Sequence, residues 1–186
     1  MDKIAGFIKI IGGPMFSGKT SWLIHYAQQL PSESFVLYKP NIDIRYHKDE
    51  CVTHNGKSFP AINLNINKID FSHISNKVKT ILIDELNLFS SNKLLKAIML
   101  QKTLGRNIIG AGIIYDYRKK SFGSTLVLSK IADTFIQLYA KCDGCNKKAI
   151  HSYRKVAIKK QFLLGGKETY GACCDTCWDS LNQHEV

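Results

Sequence analysis

The chain has 186 residues, 45% of them hydrophobic and 22% charged, and its 26 Lys and Arg outnumber 15 Asp and Glu for a formal charge of +11. That balance excludes disorder and collagen-like structure, and no run approaches the ~18 apolar residues that a membrane helix needs. The opening Met1-Asp2-Lys3-Ile4 leads into a strand-like pattern instead of a secretory leader's apolar stretch, so a cytoplasmic location is expected.

In chain order, the apolar run 6–11 ending in Gly12-Gly13 predicts a buried strand. Trp22, Leu23, Tyr26 and Leu30 recur at helical spacing from Thr20 until Pro31 stops them. A second strand is expected over 34–38, closed by Pro40, and the polar stretch 41–60 reads as a loop. Residues 78–84 predict a third strand. A helix then begins after Ser90-Ser91, with Leu94, Leu95, Ile98 and Met99 as its core face and Gly105 as its stop signal. A fourth strand over 107–114, a short helix over 124–131 and a fifth strand over 134–140 complete the pattern. Alternating strands and helices imply an α/β fold with a mostly parallel sheet covered on both faces. The expected division is a nucleotide-binding domain over 1–140, a metal-binding appendage over 141–180 and a short polar tail over 181–186.

Gly13-Pro14-Met15-Phe16-Ser17-Gly18-Lys19-Thr20 satisfies G-x-x-x-x-G-K-[ST] between a strand and a helix. In that context glycines allow backbone N–H groups to turn around a polyphosphate. The helix N-terminus and Lys19 supply positive charge, and the Thr20 hydroxyl reaches Mg²⁺. A glycine-rich structural turn is the bland alternative. The strand over 78–84 ends in Asp84-Glu85, which places carboxylates at the sheet edge where α/β folds bind ligands. A solvent-exposed acidic pair is the competing reading.

Five of the six cysteines lie between 142 and 177. Cys142-Asp143-Gly144-Cys145 and Cys174-Asp175-Thr176-Cys177 are two C-x₂-C knuckles separated by residues 146–173, and together they offer four thiolates for a structural Zn²⁺. A redox dithiol is the alternative. Cys173 adjoins a ligand position, His151 is a spare candidate ligand, and Cys51 reads as a packing residue.

These groups together resemble the type II thymidine kinases. Gly-Pro-Met-Phe-Ser-Gly-Lys-Thr at 13–20 is similar to that family's phosphate loop, and Asp43-Ile44-Arg45-Tyr46 with Thr53-His54 to its D-x-R-Y and T-H loop. Ile83-Asp84-Glu85, Asp116-Tyr117-Arg118 with Phe122-Gly123, and both knuckles with Gly165-Gly166 and Tyr170 between them resemble its further motifs, in order along nearly the whole chain. The resemblance implies a RecA-like P-loop fold with a zinc-bound lasso, and Mg²⁺-dependent transfer of the ATP γ-phosphoryl group to the 5′-hydroxyl of thymidine or deoxyuridine.

Carried over by residue, Glu85 is the expected catalytic base, and residues 13–20 with Asp43 and Arg45 bind ATP. Thr20 and Asp84 serve Mg²⁺, with Asp43 acting through water. Met15, Leu88, Ile113, Tyr117, Phe122, Ser152, Leu163, Leu164, Gly165 and Tyr170 surround the nucleoside. Taken without the resemblance, Met15 and Phe16 read as packing around the glycine turn and Phe122 as a loop anchor, and a structural role is favoured over a substrate-facing one for each aromatic. The family's usual small residue, Gln and aromatic after the Asp-Glu pair are here Leu86, Asn87 and Leu88. Ser121 stands for its Pro and Tyr117 for its Phe, changes that bear on base selectivity.

The partners implied are ATP and thymidine, with no membrane, no required nucleic acid, and a homo-oligomer that is tetrameric by resemblance. The competing hypothesis is a nucleic-acid-dependent P-loop ATPase whose zinc ribbon and basic charge grip a polynucleotide. Against it, the lysines are scattered and show no aromatic-basic alternation.

Overall fold

The computed structural model describes residues 5–42, 50–52 and 58–182, the side chains of Val52 and Asn182 excepted. The elements run β1 (Ile8–Gly12), α1 (Lys19–Ala27), β2 (Phe35–Pro40), β3 (Glu50–Val52), β4 (Ser58–Pro60), β5 (Ile62–Leu64) and β6 (Thr80–Ile83). After a 3₁₀ turn at Leu86–Leu88 come α2 (Ser91–Thr103), β7 (Asn107–Gly112), α3 (Thr125–Ile131) and β8 (Thr134–Gln137). The chain continues through β9 (Ala140–Lys141), β10 (Lys148–Ala149), β11 (His151–Arg154), β12 (Tyr170–Cys173) and α4 (Asp175–Asn182).

Six strands form one parallel sheet in the order β5-β2-β6-β7-β1-β8. Its central strands are apolar on both faces, as a sheet covered on both sides requires. Ile8, Ile10, Ile81, Ile83 and Ile108 face Leu94 and Ile98 of α2 and Leu128 of α3. Ile11, Leu82, Ile109 and Ala111 face Leu23, Ile24 and Ala27 of α1. The alternation Ile81-Leu82-Ile83 between two opposite cores is the two-residue period of a strand made visible.

A third, much smaller cluster joins Ala140, Cys142, Ala149, Ala172 and Cys173 under Tyr153 and Trp178. It is built on two antiparallel ribbons, β9–β10 and β11–β12. Three alanines and two cysteines bury too little apolar surface to order such a segment by themselves.

Three expectations need correction. The stretch 41–60 is not all loop, because β3 and β4 pair antiparallel within it and β5 follows immediately as the sheet's edge strand. Strands of three residues are too short to display a hydrophobic period. On α2, Met99 is 41% exposed and Leu95 only partly buried. Gln101 is buried in their place because its side-chain oxygen accepts from the Arg106 guanidinium. The fifth strand stops at Gln137, and Ala140 belongs to the separate ribbon β9–β10.

Because the sheet is parallel, β1, β6 and β7 all finish at one edge, and the turns after Gly12, Ile83 and Gly112 converge there. Among the described residues no helix is long and apolar enough to cross a membrane.

Candidate active site and metal centre

The turn after β1 is held by its own side chains. Gly13 lies so close to Ser17 Oγ and the Leu138 carbonyl that a Cβ would stand 2.6 and 2.7 Å from them. Phe16 and Gly18 take positive φ values of 63° and 82°, so a non-glycine residue is held in the left-handed region within the turn. Ser17 Oγ donates to the Pro14 carbonyl at 2.9 Å, and the buried Lys19 ammonium donates to the same oxygen at 2.6 Å. The Met15 N–H donates to Ser152 Oγ at 2.9 Å, tying the turn to β11, 137 residues away in the chain.

Thr20 and Asp84 meet where α1 begins and β6 ends. The Thr20 hydroxyl donates to Asp84 Oδ2 at 2.9 Å, and the Glu85 N–H donates to Oδ1 at 3.0 Å. Asp84 is 5% exposed. Burial and then the neighbouring Glu85 charge push its carboxyl up from 3.8 to about 7, against the opposing pull of Thr20, the Glu85 N–H and Lys19. Glu85 itself has φ 50°, a left-handed conformation that turns the chain sharply at the strand end. A hydroxyl and a carboxylate this close to the glycine turn are the hard oxygen donors that a Mg²⁺–phosphate complex uses.

Two cavities meet at Glu85. One, against the glycine turn, is lined by Met15, Phe16, Gly18, Lys19, Thr20, Ser21 and Glu85. The other is a largely apolar cleft that contains all ten residues expected around a nucleoside: Met15, Leu88, Ile113, Tyr117, Phe122, Ser152, Leu163, Leu164, Gly165 and Tyr170. Met15 and Glu85 line both. Asp43 and Arg45, like the Thr53-His54 pair, lie outside the described residues. A larger groove at the opposite edge of the sheet surrounds Arg106, whose guanidinium is taken up by Gln101 and by the carbonyls of Ile74, Ser75 and Val78.

The cleft also holds Asn87, Tyr115, Asp116, Gln161 and Phe162, which were not among the expected residues. Asn87 Oδ1 accepts from the Ile113 N–H at 2.9 Å, which fixes the turn after β7 against the turn after β6. Burial works to raise the Asp116 carboxyl, but hydrogen bonds from Arg118, Lys120 and Gln161 prevail and hold it below the usual range. Asp116 stands inside a segment whose motif resemblance was legible, and Asn87 stands where the sequence departs from the motif after Asp84-Glu85. Gln161 and Phe162 carry no pattern beyond their place just before Leu163.

The four knuckle sulfurs, from Cys142, Cys145, Cys174 and Cys177, all lie within 4.8 Å of one another. A tetrahedron with metal–sulfur bonds of about 2.3 Å has edges of about 3.8 Å. The observed Cys142–Cys174 and Cys145–Cys174 separations are 3.8 and 3.6 Å. The donor set therefore fits a tetrahedral metal ion such as zinc. Cys173 points elsewhere, into the small core, where burial pushes its thiol up to about 12. His151 is outside the cluster and contacts Asp175 Oδ1 at 2.6 Å instead. Helix α4, which carries Cys177, is joined to the cleft's wall. Trp178 Nε1 donates to the Tyr117 carbonyl at 3.3 Å, and the Lys119 ammonium lies 4.1 Å from the Trp178 ring centroid.

A family model described as thymidine kinase matches residues 6–178. The chain is similar to a thymidine kinase of Porphyromonas gingivalis, with 30% identity over 175 residues that make up 93% of this chain and 85% of the relative.

Proposed function

The chain belongs to the thymidine kinase family, and from that premise we propose that it transfers the γ-phosphoryl group of ATP to the 5′-hydroxyl of thymidine, with deoxyuridine as a second acceptor. The observation that carries this reading is the position of Glu85, a residue that lines both the glycine-turn cavity and the apolar cleft. A carboxylate at that junction stands between the site proposed for the triphosphate and the site proposed for the alcohol.

In the proposed reaction the 5′-oxygen attacks the γ-phosphorus as the bond to the bridging β–γ oxygen breaks. Glu85 accepts the hydroxyl proton, and ADP departs with the bridging oxygen. Residues 13–20 cradle the phosphates, and Lys19 exchanges its contact with the Pro14 carbonyl for phosphate oxygens. Mg²⁺, when bound, neutralises developing phosphate charge. Thr20 and Asp84 would be its side-chain donors, and the charge it would bring favours the ionised form of Asp84. Asp43 is assigned to a water-mediated metal contact and Arg45 to phosphate oxygens. Met15, Leu88, Ile113, Tyr117 and Phe122 enclose the base, while Ser152, Leu163, Leu164, Gly165 and Tyr170 cover the nucleoside. Leu88, smaller than the family's aromatic, leaves space that supports acceptance of more than one pyrimidine.

Zn²⁺ in the four-cysteine site is structural, because four thiolates leave no open coordination position. It closes the appendage, expected over 141–180 and built from the β9–β10 ribbon at Ala140 to α4 ending at Asn182, onto the nucleotide-binding unit. Exposed Met99 and Leu100 on α2 and Val127 and Ile131 on α3 support a homo-oligomer, tetrameric by resemblance, acting in the cytoplasm without membrane or nucleic acid.

A nucleoside panel assayed for phosphate transfer from Mg-ATP, with polynucleotide added in parallel, tests the reading. Thymidine monophosphate should form without any dependence on polynucleotide. ATP hydrolysis that requires DNA or RNA, with no nucleoside product, would establish the motor reading instead.

A further inference from the structure

Between β11 and β12 the chain runs from Lys155 to Thr169 without regular structure, yet Phe162, Leu163, Leu164 and Gly165 lie in the cleft. We propose that Arg154 is the positioning residue that folds this strap over the nucleoside, a role that rests on the function proposed above. Its side chain does not line the cleft and lies instead against a groove on the strap's outer side. It acts through its neighbours.

An irregular segment must satisfy its carbonyls without a ladder, and here three side chains serve five of those between Ile158 and Leu163. Arg154 donates to the carbonyls of Ile158, Lys160 and Gln161. Tyr117 Oη donates to Lys159 at 3.1 Å, and Tyr170 Oη donates to Leu163 at 2.8 Å. Arg154 also donates to Tyr170 Oη at 2.6 Å, so it orients that hydroxyl toward Leu163. The guanidinium carbon sits 4.0 Å from the Tyr117 ring centroid and 5.0 Å from that of Tyr170, next to both phenols that share its task. Only a planar fork can reach three carbonyls and a phenol while lying against two rings. A lysine ammonium offers three donors from one point and no plane. The strap's inner end is then latched to the opposite wall by Gln161, which donates to Asp116 Oδ2 at 3.1 Å.

The test uses the full-length zinc-loaded enzyme with Arg154→Lys, Arg154→Ala and Tyr170→Phe. For both Arg154 variants the thymidine KM should rise by about tenfold or more while kcat at saturation stays within about threefold and the ATP KM is unchanged. Tyr170→Phe, which keeps the ring and removes only the relay to Leu163, should give an intermediate rise. Independently of activity, trypsin should cut the ligand-free Arg154 variants after Lys155, Lys159 or Lys160 about tenfold faster than the parent, because cleavage follows the open population. That second measurement keeps the two ideas separable, since strap cleavage reports on Arg154 even for an enzyme that phosphorylates no nucleoside. A thymidine KM and a strap cleavage rate matching the parent would overturn the proposal. So would a fall in kcat and ATP affinity in equal proportion together with metal loss, which would mark Arg154 as merely structural.

Discussion

Thr20 Oγ1 donates a 2.9 Å hydrogen bond to Asp84 Oδ2, joining the first turn of α1 to the end of β6 across the intervening strand β7. The carboxylate it contacts is buried beside Glu85 and pushed up to about 7. The native state therefore binds a proton that the unfolded chain has already released between about pH 4 and 7. Stability of the ligand-free protein should fall as pH rises through that window. Asp84→Asn removes the titration, so the variant's denaturation midpoint should lose less between pH 5 and 8 than the parent's at equal zinc content. Parallel pH profiles for the two proteins would contradict this account. The same variant should lose Mg-ATP-dependent turnover, so the position trades stability for chemistry.

The appendage has a core of only three alanines and two cysteines, so a metal ion on its four clustered thiolates would contribute much of its stability. One zinc per chain is expected by mass spectrometry. Its removal by a chelator should lower thymidine affinity more than ATP affinity, because Trp178 and Lys119 connect α4 to the wall that carries Tyr117. Cys174→Ser should reproduce the chelator's effect and Cys173→Ser should retain the metal, a contrast that spectroscopic titration with Co²⁺ can read directly.

Ser152 accepts the buried Met15 N–H at 2.9 Å. Ser152→Ala leaves that donor unpaired, which costs about 1–3 kcal/mol. Because the orphaned group belongs to the glycine turn, ATP affinity should fall along with stability. Ser152→Thr keeps the oxygen and should restore both. Calorimetric ATP binding distinguishes the pair, and an alanine variant with parental affinity would remove Ser152 from the turn's support.

Much of this organisation could be read from the residues. The glycine turn, the carboxylate-ended strand and the two cysteine knuckles are local patterns whose chemistry dictates their spacing; the first two lie on the elements expected for them, whereas helix α4, which carries Cys177, was not predicted. The ten expected cleft residues converge although they come from five separate stretches of chain, and this convergence was legible only through the family's motifs. Short strands were not legible, since β3, β4 and β5 are held by pairing partners distant in sequence and not by three residues of pattern. Gln101 lies outside the predicted core face of α2, yet Arg106 draws it inside, and a tertiary partner of that kind overrides helical periodicity. Gln161 and Arg154 were invisible for a related reason. Their roles lie in carbonyls and rings that only the folded strap brings together.

The central claim is that Glu85 takes the proton of an alcohol held between the cleft and the glycine turn. Its most direct test is Glu85→Gln, which preserves shape and hydrogen-bonding capacity while removing the base. Turnover of thymidine with saturating Mg-ATP should fall by about 10²–10⁴-fold, while ATP and thymidine dissociation constants stay within about threefold. A variant that phosphorylates thymidine at the parental rate would contradict the account.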